Sequence, residues 1–208
     1  MVVKKTLKAP VVETFLSFQG EGQSLGKPAV FVRFFGCNLR CRFKGSNCDT
    51  PYAVLDGKRK LFTVKELFDV VKKYKCNRII FTGGEPLLYQ DFIFKFITTH
   101  NLYDYEVETN GTIYPQFAYL NNVVYNISPK LKSSNQENSH DYKRINFYAL
   151  QKFLDNNSNY KFVISDVKQD LIEIKKIMKY APLNKVYLMP EGCSREGIIK
   201  NSPKVVEL

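Results

Sequence analysis

The 208-residue sequence has no apolar run approaching the ~20 residues that a membrane-spanning helix needs. Two early lysines precede an N-terminal stretch in which Pro10 and Glu13 interrupt the continuous apolar segment of a signal peptide, so none is expected. Histidine is also scarce: His100 and His140 are the only two, and neither is near the cysteines in sequence. These absences argue against a membrane protein and against a secreted one.

The cysteines lack an even count, since there are five of them. Disulfide frameworks use cysteines in pairs and form in oxidising compartments, so this count favours a reducing compartment, the cytoplasm. No internal repeat or linker divides the sequence, and its length is that of one domain. We therefore expect residues 1–208 to form a single domain with a sizeable core.

Acidic residues are the minority among the charges, with 20 Asp and Glu against 31 Lys and Arg, and the net charge is +11. Such an excess suits an anionic partner, either nucleic acid or an acidic small substrate. However, the lysines are scattered along the chain instead of forming one tract, which favours a solvated surface. Direct nucleic-acid binding is therefore not expected.

Short runs rich in β-branched and aromatic residues predict six strands. They cover residues 29–35, 78–82, 105–108, 123–127, 160–164 and 185–189. Thr63 and Glu66 form a capping box at the start of one helix, and further helices are expected from Asp91, Asn146 and Asp170. This alternation predicts an α/β fold of parallel strands and crossover helices, and six strands fit a partial, open parallel β/α barrel.

Three cysteines, Cys37, Cys41 and Cys48, lie in one loop after the first predicted strand. Three thiolates can bind three irons of a four-iron cluster and leave the fourth iron open to a substrate or cofactor. A structural zinc site would need a fourth ligand, which Cys76 or Cys193 could supply through the fold. Both of these cysteines adjoin predicted strands, so a buried apolar thiol is the expected role for each.

Other strings that carry chemistry follow the remaining strands: TGGEP at 82–86, ETNG at 108–111, SPK at 128–130 and PEG at 190–192. The carboxyl ends of parallel strands meet at one edge of a sheet, where ligands bind. Two glycines allow a backbone to approach a ligand closely, although a lone Gly-Gly pair is also an ordinary turn. The strings together predict one shared site.

These strings resemble the radical S-adenosylmethionine (SAM) superfamily and, within it, the 7-carboxy-7-deazaguanine synthase family. The similar segments, in order, are FLSFQGEG at 15–22, VRFFGCNLRC at 32–41, CDT at 48–50, TGGEP, ETNGT and SPK. The match runs from about residue 13 to residue 130, with weaker echoes to residue 192. One departure is the six residues between Cys41 and Cys48, where the superfamily usually has two.

The resemblance implies a carbon–nitrogen lyase that converts 6-carboxy-5,6,7,8-tetrahydropterin into 7-carboxy-7-deazaguanine with loss of ammonia. This product belongs to queuosine and other deazapurine biosynthesis, in a tRNA modification pathway. The implied cofactors are a [4Fe–4S] cluster, SAM and Mg²⁺, with SAM bound at the open iron. The implied partners are the small pterin substrate, an electron donor such as flavodoxin or ferredoxin, and a second copy of the chain in a homodimer.

The same resemblance implies three groups of site residues, beyond which no catalytic side chain is implied. Cys37, Cys41 and Cys48 would bind the cluster, and Thr50 would bind Mg²⁺. Residues implied for SAM are Asn47, Asp49, Gly84, Glu85, Glu108, Asn110, Ser128, Pro129, Lys130, Met189, Pro190 and Glu191. Residues implied for the substrate are Phe18, Gln19, Gly20, Glu21, Arg33, Thr82 and Leu208.

Two of these residues also have a purely structural alternative. Without the resemblance, Arg33 would be assigned to a surface ion pair and Thr50 to a hydroxyl that stabilises a turn. Two other functions also stay open. The first is another radical SAM enzyme, such as a glycyl-radical-enzyme activase, against which FQGEG, Arg33 and CDT argue. The second is a non-catalytic iron–sulfur module that binds nucleic acid, in which TGGEP and SPK have no role.

Overall fold

A computed structural model of the chain describes residues 6–43, 46–135, 143–153, 158–180 and 185–208, so His140 lies outside the described residues. The strands are β1 Lys8–Phe18, β2 Pro28–Phe34, β3 Arg42–Phe43, β4 Ser46–Asn47, β5 Lys60–Thr63, β6 Arg78–Gly83, β7 Asp104–Thr109, β8 Val123–Ile127, β9 Ser158–Ile164 and β10 Val186–Pro190. The helices are α1 Val64–Val71, α2 Gln90–Thr99, α3 Phe147–Gln151, α4 Val167–Met178 and α5 Arg195–Val206.

Eight strands form one open sheet in the order β10-β9-β8-β7-β6-β2-β1-β5. Neighbours from β2 to β10 are parallel, whereas β1 runs antiparallel to both β2 and β5. The six predicted strands are the six parallel ones, so the open parallel fold is confirmed. The prediction missed β1, whose Pro10 and polar Glu13 interrupt an otherwise apolar pattern; the pairing of β1 with β2 shifts register at Val11/Glu13.

The helix caps explain where the helices begin. Thr63 accepts a hydrogen bond from the Glu66 amide while Glu66 accepts one from the Thr63 amide, which confirms the predicted capping box. Asn146 caps α3 as expected, by accepting from the Ala149 amide. The predicted start of α4 was wrong, because Asp166 supplies the cap four residues before Asp170.

The two faces of the sheet have opposite character. The face covered by the helices is apolar and fully buried, with large side chains such as Phe34, Phe81, Tyr105 and Phe162 in one cluster. Burial of each such side chain contributes roughly 1.5–3 kcal/mol to folding. This face therefore supplies the stability of the sheet.

The other face, here called the inner face, carries polar side chains at alternate positions. Register pairs Arg33 with Thr82, Glu108 with Asn126, and Asn126 with Asn159, so these residues share that face. The inner face also holds a smaller apolar cluster of Ala29, Phe31 and Ile80, so most but not all of the apolar core lies on the helical face. Within the described ranges, every helix is too short or too polar to cross a bilayer.

Candidate active site

A small hairpin separates the second and third cysteines of the loop that follows β2. Strand β3 pairs antiparallel with β4, with Arg42 opposite Asn47. At the base of this hairpin the Cys48 amide donates to the Cys41 carbonyl at 3.2 Å. The two cysteines are therefore neighbours in space, and the six-residue spacing does not take Cys48 away from the site.

All three loop cysteines line one cavity of about 690 Å³ at the carboxyl end of the parallel strands. Burial raises the pKa of Cys37 to about 11 and also raises the pKa of Cys41. Burial alone would lower the pKa of Lys130 in the same wall, but the neighbouring charges, led by Cys41 and Asp49, raise it overall. Lys130 is thus a cation placed to balance thiolates.

The Gly-Gly turn after β6 lies directly against the cysteine loop. A Cβ on Gly84 would stand 2.1 Å from the carbonyl oxygen of Gly36 and 2.9 Å from the Cβ of Cys37. Gly83 adopts a φ of +136°, and the Glu85 amide donates to the Gly36 carbonyl at 2.8 Å. Close backbone contact between the two loops therefore requires glycine at this turn.

Glu85 is fully buried beneath the cavity wall and does not line the cavity. Its carboxylate accepts from the Leu87 amide at 3.0 Å, the Thr109 hydroxyl at 2.8 Å and the Asn110 amide at 2.7 Å. Burial raises the pKa of Glu85, while these hydrogen bonds oppose the rise. The carboxylate braces the end of β6 against the end of β7, so its action on SAM would be through the position of its neighbours.

Asn110 does line the cavity, and its side chain also ties β7 to the cysteine loop. Its side-chain nitrogen donates to Asn38 Oδ1 at 2.9 Å, and its side-chain oxygen accepts from the Thr112 hydroxyl at 2.6 Å. Asn38 in turn donates to the Thr112 hydroxyl at 2.8 Å. The closed ring of three polar side chains holds the loop in place.

The opposite wall comes from the end of β10. Met189, Pro190 and Glu191 line the cavity there, and the Glu191 carbonyl accepts from the Asn201 side chain of α5 at 2.8 Å. Cys193 also lines the cavity and is exposed, so the expectation of a buried thiol was wrong for this residue. It follows the strand end instead of lying within the strand, where side chains are covered.

The family resemblance implies that Gln19 and Thr82 bind the substrate and that Glu108 binds SAM. In the structure, the first two residues hydrogen-bond to the Glu108 carboxylate. The Thr82 hydroxyl donates to Glu108 Oε2 at 2.6 Å, and Gln19 Nε2 donates to Glu108 Oε1 at 3.0 Å. Burial, followed by the nearby charge of Glu21, raises the pKa of Glu108. The geometry therefore groups Glu108 with Gln19 and Thr82.

Arg33 also lies on the inner face, at the end of β2. Its Nε donates to Glu13 Oε1 at 2.7 Å, and the Tyr52 hydroxyl donates to the same oxygen at 2.9 Å. The two terminal nitrogens of Arg33 make no hydrogen bond to the described residues. Arg33 thus forms the ion pair expected of an ordinary surface residue, and its two terminal nitrogens can still donate hydrogen bonds to an anion.

Residues 31–161 match the model of the radical SAM superfamily. The chain is 36% identical to the 7-carboxy-7-deazaguanine synthase of Clostridium acetobutylicum, across 86% of this chain and 80% of that protein. It is 34% identical to the synthase of the same name from Halobacterium salinarum, across 96% and 83%. The crystal structure of QueE from Escherichia coli superposes with a TM-score of 0.71 at 20% identity, over 96% of this chain and 90% of that one, which supports the fold.

The chain belongs to the 7-carboxy-7-deazaguanine synthase family of radical SAM enzymes. Membership in the radical SAM superfamily implies a [4Fe–4S] cluster, SAM, a small-molecule substrate and a reductant. The residues present fit such a cluster, since three soft thiol ligands line one cavity and Gly84 lies in the same wall. In the described part of the chain, no three His, Cys, Asp or Glu side chains are grouped as a single metal ion would need. A cluster does not need that grouping, because each thiolate binds a different iron.

Most residues that the family resemblance implies for SAM do gather around this cavity. The wall contains Asn47, Asp49, Gly84, Asn110, Lys130, Met189, Pro190 and Glu191, together with Thr50. Ser128 stands just behind the wall, where its hydroxyl accepts from Lys130 Nζ at 3.0 Å. Buried Pro129 joins the two.

The residues that the family resemblance implies for the substrate are less uniform in position. Glu21 lines the cavity and pairs with Lys161 at 2.5 Å, whereas Phe18 is 70% exposed and Leu208 48% exposed, both outside the cavity wall. Gly20 is exposed, and a Cβ there would meet nothing within 4 Å. The roles of Phe18, Gly20 and Leu208 stay predictions.

Sequence reasoning missed several polar side chains of the inner face that the family motifs do not contain. These are Glu106, Asn126, Asn159 and Lys161. Their signal was available, because polar residues at alternate positions of otherwise apolar strands predict a second, chemically active face.

Proposed function

We propose that this radical SAM enzyme converts 6-carboxy-5,6,7,8-tetrahydropterin into 7-carboxy-7-deazaguanine with loss of ammonia. The observation that carries the proposal is the side-chain network of Gln19, Thr82 and Glu108 on the inner face, beside the cavity of the three cysteines. The name shared by the relatives from Clostridium acetobutylicum and Halobacterium salinarum supports the same product.

The chemistry of the inner face suits a flat, polar, anionic substrate. The terminal nitrogens of Arg33 would bind the substrate carboxylate as a fork of two donors. The Glu108 carboxylate and the Gln19 amide would bind the N–H groups along the pterin edge. Lys161 and Glu21 pair with each other in the cavity wall, so neither leaves an uncompensated charge facing the substrate.

When bound, the [4Fe–4S] cluster and SAM supply the radical chemistry that removes a hydrogen atom from C6 of the pterin. Cys37, Cys41 and Cys48 would bind the cluster. Lys130 offsets the charge of the thiolates, and the backbone at Gly84 lies close enough to the cysteine loop to bind a ligand beside it. The main task of the side chains is to bind, orient and exclude water.

We further propose that Thr50 contributes an oxygen ligand to Mg²⁺, with the substrate carboxylate and water completing the shell. Its hydroxyl lies in the cavity wall and 3.2 Å from Asp49 Oδ1, so an oxygen-rich corner is present. The expected test is Thr50→Ala, which should weaken the stimulation of activity by added Mg²⁺ but leave the iron content unchanged. Equal stimulation of the variant and the wild type would contradict this role.

The remaining parts of the proposal concern the whole protein. We propose that residues 1–208 act as a single radical SAM domain, as a homodimer, in the cytoplasm, with a flavodoxin or ferredoxin as electron donor. Size-exclusion chromatography with light scattering tests the dimer. Reduction of the cluster by each purified donor, followed by spectroscopy, tests the electron donor.

The decisive experiment is anaerobic reconstitution of the cluster, incubation with SAM, a reductant and the carboxytetrahydropterin, and mass spectrometry of the products. The expected result is 7-carboxy-7-deazaguanine, with ammonia released in equal amount. SAM cleavage without this product would favour another radical SAM activity, such as that of a glycyl-radical-enzyme activase. Absence of SAM cleavage together with salt-sensitive RNA binding would favour the non-catalytic alternative.

A further inference from the structure

A second carboxylate lies behind the substrate network, two residues before Glu108 on the same face of β7. Glu106 is fully buried, with a relative exposure of 0%. Its Oε1 accepts from Arg78 Nη1 at 2.8 Å, and its Oε2 accepts from Asn126 Nδ2 at 2.9 Å. A buried charge is costly without such partners, so Arg78 and Asn126 account for the presence of the ionised group but not for its purpose.

The purpose follows from the third contact of Glu106, which is with Gln19. The amide nitrogen of Gln19 lies 3.0 Å from Glu108 Oε1 and 3.4 Å from Glu106 Oε2. An amide NH₂ group has two hydrogens, and here each has its own carboxylate. A flipped amide would place the Gln19 oxygen against both carboxylates, so electrostatic repulsion permits only one orientation.

That single orientation leaves the carbonyl oxygen of Gln19 pointing away from both carboxylates. No hydrogen bond to this oxygen is present among the residues described. Gln19 itself is 98% buried from solvent, since its relative exposure is 2%. The oxygen is therefore a fixed acceptor at the edge of the substrate network.

We propose that Glu106 is a positioning residue that sets the substrate specificity of this site by fixing the Gln19 amide with its oxygen toward the substrate. A fixed acceptor selects a ligand edge that carries an N–H donor and rejects one that carries a carbonyl oxygen, because two acceptors would face each other. In a pterin the matching donors are those of the 2-amino-4-oxo ring. The identity of the substrate in this inference rests on the proposed function.

The environment of Glu106 makes Glu106→Gln a sharp test. The substituted amide can turn its oxygen toward Arg78, but its NH₂ group then faces the donors of Gln19 and Asn126. In the reverse orientation the NH₂ group faces the Arg78 guanidinium. Asn126 is held in turn by Asn159, whose amide nitrogen donates to Asn126 Oδ1 at 3.2 Å, so it cannot easily turn to accept. In both orientations, the interaction that fixes the Gln19 amide is weakened.

The experiment measures binding of two oxidised, unreactive probes, 6-carboxypterin and 6-carboxylumazine, to the reconstituted holoenzyme by calorimetry. The lumazine carries a carbonyl in place of the 2-amino group. The wild type is expected to prefer the pterin by about tenfold or more, the range of one buried hydrogen bond. In Glu106→Gln this preference should fall by about tenfold. With the true substrate, KM should rise while kcat changes little.

A matched control is Asp104→Asn, which removes the other carboxylate bound to Arg78, at 3.3 Å and 67% exposed, without touching Gln19. This variant should keep the wild-type preference. Glu106→Gln with the full preference, or with equal losses for both probes, would overturn the inference. If Glu106→Gln does not retain its cluster, Glu106→Asp decides, because it keeps a carboxylate for Arg78 but withdraws it from Gln19, so the preference must fall; an unchanged preference in Glu106→Asp would overturn the inference.

The outcome also separates this inference from the function beneath it. A wild type that binds both probes equally overturns the role of Glu106 and leaves pterin binding standing. A wild type that binds neither probe, and forms no product from the carboxytetrahydropterin, overturns the proposed function and with it this inference.

Discussion

The loop of the three cysteines is held against its neighbours by close backbone contacts as well as by side chains, whereas the network around Gln19 consists of side-chain contacts. In the cluster half, the Glu85 amide binds the Gly36 carbonyl and the Cys48 amide binds the Cys41 carbonyl. In the substrate half, Thr82 donates to Glu108 from β6, and Gln19 donates from the loop that follows β1. Two backbones that approach as closely as at Gly84 leave no space for a side chain there, but a side-chain network can lose one member and keep the rest.

This comparison leads to different expectations for the two halves. Substitutions in the cluster half should abolish activity almost completely, because the cluster is lost. Substitutions in the substrate half should reduce activity partially, because each weakens affinity for one part of the substrate.

The largest effect is expected from Cys37→Ser, Cys41→Ser or Cys48→Ser, because each removes one of the three thiol ligands. Each should lose the full cluster content and all detectable SAM cleavage, measured as iron and sulfide per chain and as product by mass spectrometry. Cys193→Ser is the matched control, since it changes another thiol of the same cavity. Loss of the cluster in Cys193→Ser would show that the loop alone does not define the ligand set.

The next effect is expected from Gly84→Ala. The added methyl group would stand 2.1 Å from the Gly36 carbonyl oxygen, so the two loops must separate. We expect poor cluster retention and a loss of ~1–3 kcal/mol in the free energy of unfolding, as in other overpacked sites. Gly20→Ala, with nothing within 4 Å, should have the stability of the wild type in the same urea titration. Normal iron content in Gly84→Ala would refute the close-contact argument.

A graded effect is expected from Arg33→Gln, in the substrate half. Loss of charge-assisted hydrogen bonds to the substrate carboxylate should raise KM by roughly 10- to 100-fold, with iron content and SAM binding intact. Arg59→Gln is a suitable control, because Arg59 stacks on Phe35 at 4.0 Å and lies outside the network. An all-or-none loss of the cluster in Arg33→Gln would remove the contrast between the two halves.

The smallest effect is a pH dependence at Glu85. Because the folded pKa is raised above its usual value of 4.5, the stability from this group is fully present below about pH 4.5 and is lost as pH rises through the folded pKa. Glu85→Gln carries no such titration. The difference in unfolding free energy between wild type and Glu85→Gln should therefore shrink as pH rises from 4.5 to 8, in anaerobic urea titrations. A difference that grows with pH would contradict this sign.

The same contrast explains how much of the molecule was predictable. The residues of the cluster half lie in short contiguous motifs, so TGGEP and the cysteine loop could each be recognised in the sequence without knowledge of the fold. The grouping of Glu108 with Gln19 and Thr82 could not, because these residues come from three separate strands or loops and meet only through sheet order. Strand β1 was missed because Pro10 and Glu13 interrupt its apolar pattern. Helix α5 was missed because it contains Pro203 and has only a weak apolar stripe.

The hairpin between Cys41 and Cys48 shows how the sequence distance between two cysteines can grow without moving them apart. An antiparallel ladder lengthens by two residues at a time, one on each strand, so paired insertions leave the residues at its base facing each other. The six residues here exceed the usual two of the superfamily by four, an even number. An insertion of even length at this point can leave the two base residues paired, whereas an odd insertion requires a bulge or a turn of different length. The spacing to conserve is therefore the distance across the hairpin base, and linear motifs with a fixed gap will overlook members of this kind.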